Sequence, residues 1–150
     1  MIVHDIMSTE FVAVSPDMTW GEAAALLLEK RLSSAPVVDD AGRLVGILSE
    51  KDLFRGLFPT HQDWTEAPHA YLDFQELEIT SDASERRVAD VMTTRLITAE
   101  PNTPVLKVGA LMSSSGVHHV PVIQEGRPIG MVSRGTIYRA ILEKYFEKKG

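Results

Sequence analysis

The amino-acid sequence predicts an α+β fold made of two pseudo-symmetric copies of one βαββα unit, packed sheet to sheet. Two observations predict it: the chain repeats itself, and each copy mixes short apolar strands with amphipathic helical stretches. Sliding the sequence by 85 places Val3 on Val88, Asp5 on Asp90, Met7 on Met92, Pro16 on Pro101, Ala25 on Ala110, Leu26 on Leu111 and Pro36 on Pro121. Omitting Ala41 changes the shift to 84 and aligns Gly42 with Gly126, Arg43 with Arg127, Gly46 with Gly130 and Ser49 with Ser133. The single gap falls in an expected turn, where a change of length is tolerated. The resulting division is 1–55 for the first copy, 56–85 for an acidic connector, and 86–150 for the second copy with a C-terminal helix.

The elements follow in the same order in each copy. Pro16-Asp17-Met18-Thr19 and Pro101-Asn102-Thr103-Pro104 are turn chemistry that launches a helix. That helix carries Ala23, Ala24, Leu27 and Leu28 in the first copy, and Val105, Val108, Leu111 and Met112 in the second, at helical spacing. A short apolar strand comes next, Ala35-Pro36-Val37-Val38 or Val120-Pro121-Val122-Ile123. After a turn at Asp39-Asp40-Ala41-Gly42 or Gln124-Glu125-Gly126, a second strand completes a hairpin: Leu44-Val45-Gly46-Ile47-Leu48 or Ile129-Gly130-Met131-Val132. Ser49 and Ser133 open a closing helix. Its second version, Thr136 to about Lys148, gathers Ile137, Ala140, Ile141, Leu142 and Tyr145 toward one face. Each unit is thus expected to form a three-stranded sheet with both helices on one side. The free sheet face must be covered by the other copy, which leaves a cleft on each side of the pseudo-twofold axis.

Composition narrows the function. The chain has no cysteine, which excludes disulfides, thiolate metal sites and cysteine nucleophiles and suits a reducing cytoplasm. The first residues lack a basic stretch followed by an apolar one, so no signal peptide is expected. The longest apolar runs, such as Ala23 to Leu28, fall far short of the ~20 residues a membrane span needs, so no direct insertion is expected. Net charge is −6, and residues 56–87 account for −5 of it, seven acids against Arg86 and Arg87. No basic stripe tracks a phosphate backbone, and nucleic acid is not an expected partner. There is no Gly-x-Ser-x-Gly, no Walker sequence, no nucleophile–base pairing and no carboxylate cluster with metal spacing, so no catalytic residue is assigned. Asp5 and Asp90 occupy matched positions, which points to repeat architecture before catalysis. Neighbours entering a strand point to opposite faces, so His118 and His119 are not read as joint metal ligands.

Taken together, Val3-x-Asp5-Ile6-Met7, Val88-x-Asp90-Val91-Met92, the Pro36 and Pro121 strands, and Gly46-x-x-Ser49-x-x-Asp52-Leu53 resemble a tandem CBS-domain pair, or Bateman module. The resemblance covers residues 1–55 and 86–140. It implies adenosine-type ligands between the repeats, AMP, ADP, ATP or S-adenosylmethionine, with no cofactor required. It also implies pairing into a homodimer and regulation of a client protein.

By that resemblance Ser49 contacts phosphate and Asp52 holds the ribose hydroxyls. Ile97, Val117 and His118, just ahead of Pro121, wall the same cleft. Ser-x-x-Asp is equally a helix-capping pattern that needs no ligand, and both readings stand at this point. The reciprocal cleft would use Val12, Ser33, Ser34, Pro36 and Ser133, with Arg134 a candidate for phosphate. There Thr136 stands where the Asp would be, so the clefts are expected to be unequal. The connector, with Trp64, Tyr71, Phe74 and Leu77, is either an acidic flap over the module or a docking surface for a partner. The functional expectation is a regulatory sensor that does no chemistry. The alternatives are a ligand-free dimerisation scaffold and, third, a weak nucleotide hydrolase.

Overall fold

The computed structural model describes residues 1–55 and 85–147. Both expectations for the connector concern residues outside this set. The first copy holds helix α1 (Trp20–Lys30), strands β1 (Ser34–Val38) and β2 (Leu44–Ser49), and helix α2 (Glu50–Arg55). The second opens with α3 (Val88–Val91) and continues with α4 (Val105–Ser115), β3 (His119–Gln124), β4 (Arg127–Ser133) and α5 (Arg134–Phe146). A 3₁₀ turn at Val3–Asp5 matches α3 in position.

The repeat is carried into the packing residue by residue. One core gathers Val14, Trp20, Ala23, Leu27, Ala35, Val37, Leu48 and Leu53. The other gathers Ala99, Val105, Val108, Met112, Val120, Val122, Val132 and Ile137, each the repeat partner of the residue in the same place. The exception is informative. Val3 completes the core of the second copy and Val88 that of the first. The leading segments are therefore exchanged: the Val3 and His4 N–H groups donate to Thr103 and Pro101 carbonyls, both at 2.9 Å, while those of Val88 and Ala89 donate to Met18 and Pro16 at 2.8 and 3.0 Å. The paired aspartates have a local role here. Asp5 Oδ2 accepts the Ile2 N–H at 3.0 Å, and Asp90 Oδ2 accepts that of Arg87 at 3.2 Å, each closing its own short turn.

Each exchanged segment also bridges to the far hairpin. Ser8 trades two backbone bonds with Met131, both 2.9 Å, and Thr93 trades two with Ile47, at 2.9 and 2.8 Å. The chain passes so close there that a Cβ on Gly46 would lie 2.7 Å from Met92 Sδ, and one on Gly130 would lie 2.8 Å from Met7 Sδ. Gly46 and Gly130 recur because any side chain would push these crossings apart.

Three expectations need correction. The third strand of each sheet shrinks to a single parallel bridge, Val14 with Val37 and Ala99 with Val122, so each sheet proper has two strands. Val14 donates to the Pro36 carbonyl and Ala99 to that of Pro121, which turns each proline's nitrogen toward the would-be third strand. A proline has no N–H, so the ladder cannot extend past that residue. Secondly, Leu28 is 79% exposed, because Trp20, Ala23 and Leu27 form the stripe of α1 that meets the sheet. Thirdly, on α5, Ile137 is buried with Ala140 and Ile141 beside it, whereas Leu142 and Tyr145 are 57% and 52% exposed. Adjacent positions on a helix lie ~100° apart, so a wide apolar stripe reads as one face when only part of it packs.

Val88→Ala is expected to destabilise the fold by about 2 kcal/mol, since it opens a cavity in a core formed by the other copy. For a chain of this length that corresponds to a melting point lower by roughly 4–8 °C. Scanning calorimetry checks it, and a drop under about 1 °C would contradict the exchanged packing.

Candidate functional site

Asp52 is the buried charge around which the site forms, 3% exposed at the point where β2 gives way to α2. Ser49, the last residue of β2, receives the Asp52 N–H on its Oγ at 3.2 Å. Its own N–H and hydroxyl both donate to Asp52 Oδ2 at 3.0 Å. Oδ1 faces the other copy, where the Thr93 hydroxyl donates to it at 3.1 Å. Arg55 Nη2 reaches the same oxygen at 3.4 Å from a largely exposed side chain, a contact worth little in itself. Two contacts on each oxygen fill the roughly four acceptor positions a carboxylate offers.

Beside this carboxylate a cleft of about 390 Å³ opens between the copies. Of the residues expected there, Ser49, Asp52, Ile97, Val117 and His118 border it, and Pro121 does not. Pro121 is buried inside β3, where its carbonyl accepts the Ala99 N–H at 3.0 Å. Glu50 and Lys51, within the Ser49–Asp52 stretch singled out in the sequence, border the cleft too, as do Thr93, Arg95 and Arg55, which sequence reasoning passed over. A signal for Thr93 was present, because the repeat pairs it with Ser8, a second hydroxyl in the same place.

The reciprocal side has two hollows that share Ile6, Ser133 and Thr136, an outer one of about 540 Å³ and a smaller cleft of about 150 Å³. Ser33, Ser34 and Ser133 border the smaller cleft, whereas Val12, Pro36 and Arg134 do not. Pro36 is buried within β1, Val12 lies ahead of the bridge at Val14, and the Arg134 backbone N–H is engaged by the His118 carbonyl at 2.8 Å. Thr136 stands at the Asp52 position, its N–H donating to Ser133 Oγ at 3.3 Å and its hydroxyl 3.0 Å from the same atom. This pair closes as a plain helix cap with no carboxylate.

His118 and His119 both border the cleft beside Asp52, a departure from the opposite-face expectation. β3 begins at His119, so His118 is still in the loop and outside the pleat that would turn it away. Among the described residues no three potential ligands gather as a metal site. His119 also borders the smaller cleft. Burial lowers its pKa from the usual histidine value, the neighbouring His118 adds to the effect, and Glu50 partly opposes it.

Residues 3–58 and 88–143 each match the CBS domain model. The chain belongs to the CBS-domain family. This CBS pair is 30% identical to an uncharacterized protein of Methanocaldococcus jannaschii over 155 residues, a match covering 95% of this chain and 92% of that one. The crystal structure of the CBS-domain pair of protein MJ0100, in complex with 5′-methylthioadenosine and S-adenosyl-L-methionine, is similar with a TM-score of 0.71 and 26% identity, over 96% of this chain and 98% of that one. CBSX2 of Arabidopsis thaliana in complex with AMP is similar with a TM-score of 0.71 and 27% identity, over 95% and 97% of the two chains.

The lowered His119 pKa sets a direction with pH. The folded state favours the neutral imidazole, so on acidification the unfolded chain takes up this proton first and the fold loses stability. The loss begins near pH 6.5, the unperturbed value, and levels off below the folded-state pKa. His119→Gln is expected to flatten this part of the profile. Urea midpoints for both proteins across the window test it, and parallel profiles would remove His119 as a source.

Proposed function

We propose that this CBS pair is a regulatory module that binds one adenosine-containing ligand in the cleft beside Asp52 and performs no chemistry itself. The supporting observation is a buried carboxylate at the edge of a cleft large enough for such a ligand, with Thr136 in place of the carboxylate at the matching position. Pockets for small ligands run from about 300 Å³ upward, which the cleft beside Asp52 meets. Ile97 would pack on the base, with the backbone around Val117 and His118 meeting its edge.

Binding and regulation would be coupled through Asp52. Its acceptor positions are filled, so a ribose that takes Oδ1 must displace Thr93 or Arg55. Displacing Thr93 alters the segment that completes the core of the first copy, and a change at the cleft becomes a change between the copies. The shift is bounded by the ligand's difference in affinity for the two arrangements. A homodimer whose client reads that change would be the working form. Leu28, Leu106, Leu142, Tyr145 and Phe146 are large apolar side chains left exposed on the described helices, which suits association. No helix among the described residues is long and apolar enough to cross a membrane.

One observation favours a ligand-free scaffold: Ser49 and Asp52 already satisfy each other as a cap. The substitution Asp52→Asn separates the readings. Isothermal titration with AMP, ADP, ATP and S-adenosylmethionine is expected to give one ligand per chain. The variant is expected to melt cooperatively and bind roughly ten- to a hundredfold more weakly, the range for a lost hydrogen bond to a charge. Equal affinity in the variant would remove Asp52 from the site, and no binding by wild type would leave the scaffold.

A further inference from the structure

We propose that the cleft beside Asp52 selects phosphorylated adenosine ligands over the sulfonium ligand, with Arg95 and Lys51 as the specificity-determining residues. This rests on the adenosine-binding reading above and narrows its ligand class.

The charges bordering the cleft are unevenly used. Three cations, Lys51, Arg55 and Arg95, and two acids, Glu50 and Asp52, border it, all but Arg95 from α2. Arg55 and Asp52 form the one ion pair among the described residues, and Asp52 spends its remaining acceptor positions on Ser49 and Thr93. Lys51 and Arg95 have no carboxylate partner among the described residues. With Asp52 already partnered by Arg55, Glu50 is the one acid on the border left to offset them, so a ligand entering there meets an excess of positive charge.

The repeat supplies an internal control. Were the basic border a by-product of duplication, the smaller cleft would share it. The position of Arg95 is held there by Glu10, which borders the smaller cleft, that of Lys51 by Gly135, and that of His118 by Ser33. The charge is reversed at the position of Arg95 and lost at that of Lys51, while Glu50 is matched by Arg134 and Arg55 by Arg139. Lys51 and Arg95, the two cations without a carboxylate partner, are therefore particular to the cleft that carries Asp52.

This arrangement distinguishes ligands by their tails. Adenosine nucleotides share a base and ribose with S-adenosylmethionine and differ beyond C5′. A phosphate presents anionic oxygens for charge-assisted hydrogen bonds to Lys and Arg. The tail of S-adenosylmethionine instead sets a sulfonium and an ammonium against a single carboxylate, and brings a net positive charge toward two cations. Both cations are exposed, so the preference acts through water and weakens as salt screens it.

The experiment is calorimetric titration of the full chain with adenosine, AMP, ADP and S-adenosylmethionine, at about 50 mM and about 500 mM salt, spanning the range over which the screening length shrinks severalfold. AMP is expected to bind at least about tenfold more tightly than adenosine or S-adenosylmethionine at low salt, the scale of one charge-assisted bond, with the gap narrowing at high salt. Arg95→Met keeps the apolar stem and removes the charge. It is expected to weaken AMP about tenfold and leave adenosine unchanged, with Lys51→Met as an independent second variant. S-adenosylmethionine binding as tightly as AMP would overturn the inference while sustaining the adenosine reading. Equal losses for adenosine and AMP in both variants would also overturn it. If adenosine and all three other ligands fail to bind, the adenosine reading itself falls.

Discussion

Neither half of this chain closes its own core. Val3 lies within the second half's apolar cluster and Val88 within the first's, each fully buried among residues of the other copy. Exchange of two short segments is what joins the halves. The backbone bridges at Ser8 and Thr93, the close crossings of Met7 over Gly130 and Met92 over Gly46, and the clefts beside them all follow from it. Thr93 reaches Asp52 only because its segment has crossed to the other copy. The proposed site is therefore assembled by the same segments that hold the module together.

Much of this was legible in the residues. The repeat marked the elements in order, and the matched aspartates, glycines and serines took up matched structural tasks. Asp5 and Asp90 close turns, Gly46 and Gly130 admit a crossing chain, and Ser133 caps a helix as expected. The exchange could not be read, because a repeat records which residues are equivalent and not which equivalent partner each one touches. The third strand was overestimated for a related reason. Alternating apolar residues announce a strand, but the direction in which Pro36 and Pro121 withhold a donor depends on the neighbour already paired with them.

The site was partly legible. Ser49 and Asp52 carry a local pattern, and the structure closes them as a cap at the border of the cleft. Thr93 and Arg95 lie some forty residues further on in sequence, in a stretch with no motif. They could have been found only by asking which hydroxyls and charges the repeat places opposite one another. The two halves share a scaffold and differ most in the residues that border their clefts: Asp52 against Thr136, Arg95 against Glu10 and His118 against Ser33. Core positions changed mainly in size, as with Trp20 against Val105 and Ala23 against Val108.

The exchange of Val3 and Val88 also bears on concentration. A lone half carrying its own leading segment would have a hole where a valine belongs, and two identical halves would fill each other's holes symmetrically. Such halves would hold together only as an obligate pair, with two equal clefts. Joining them in one polypeptide makes the pairing intramolecular and independent of concentration. It also frees the two clefts to differ, so that Asp52 and Arg95 stand in one where Thr136 and Glu10 stand in the other.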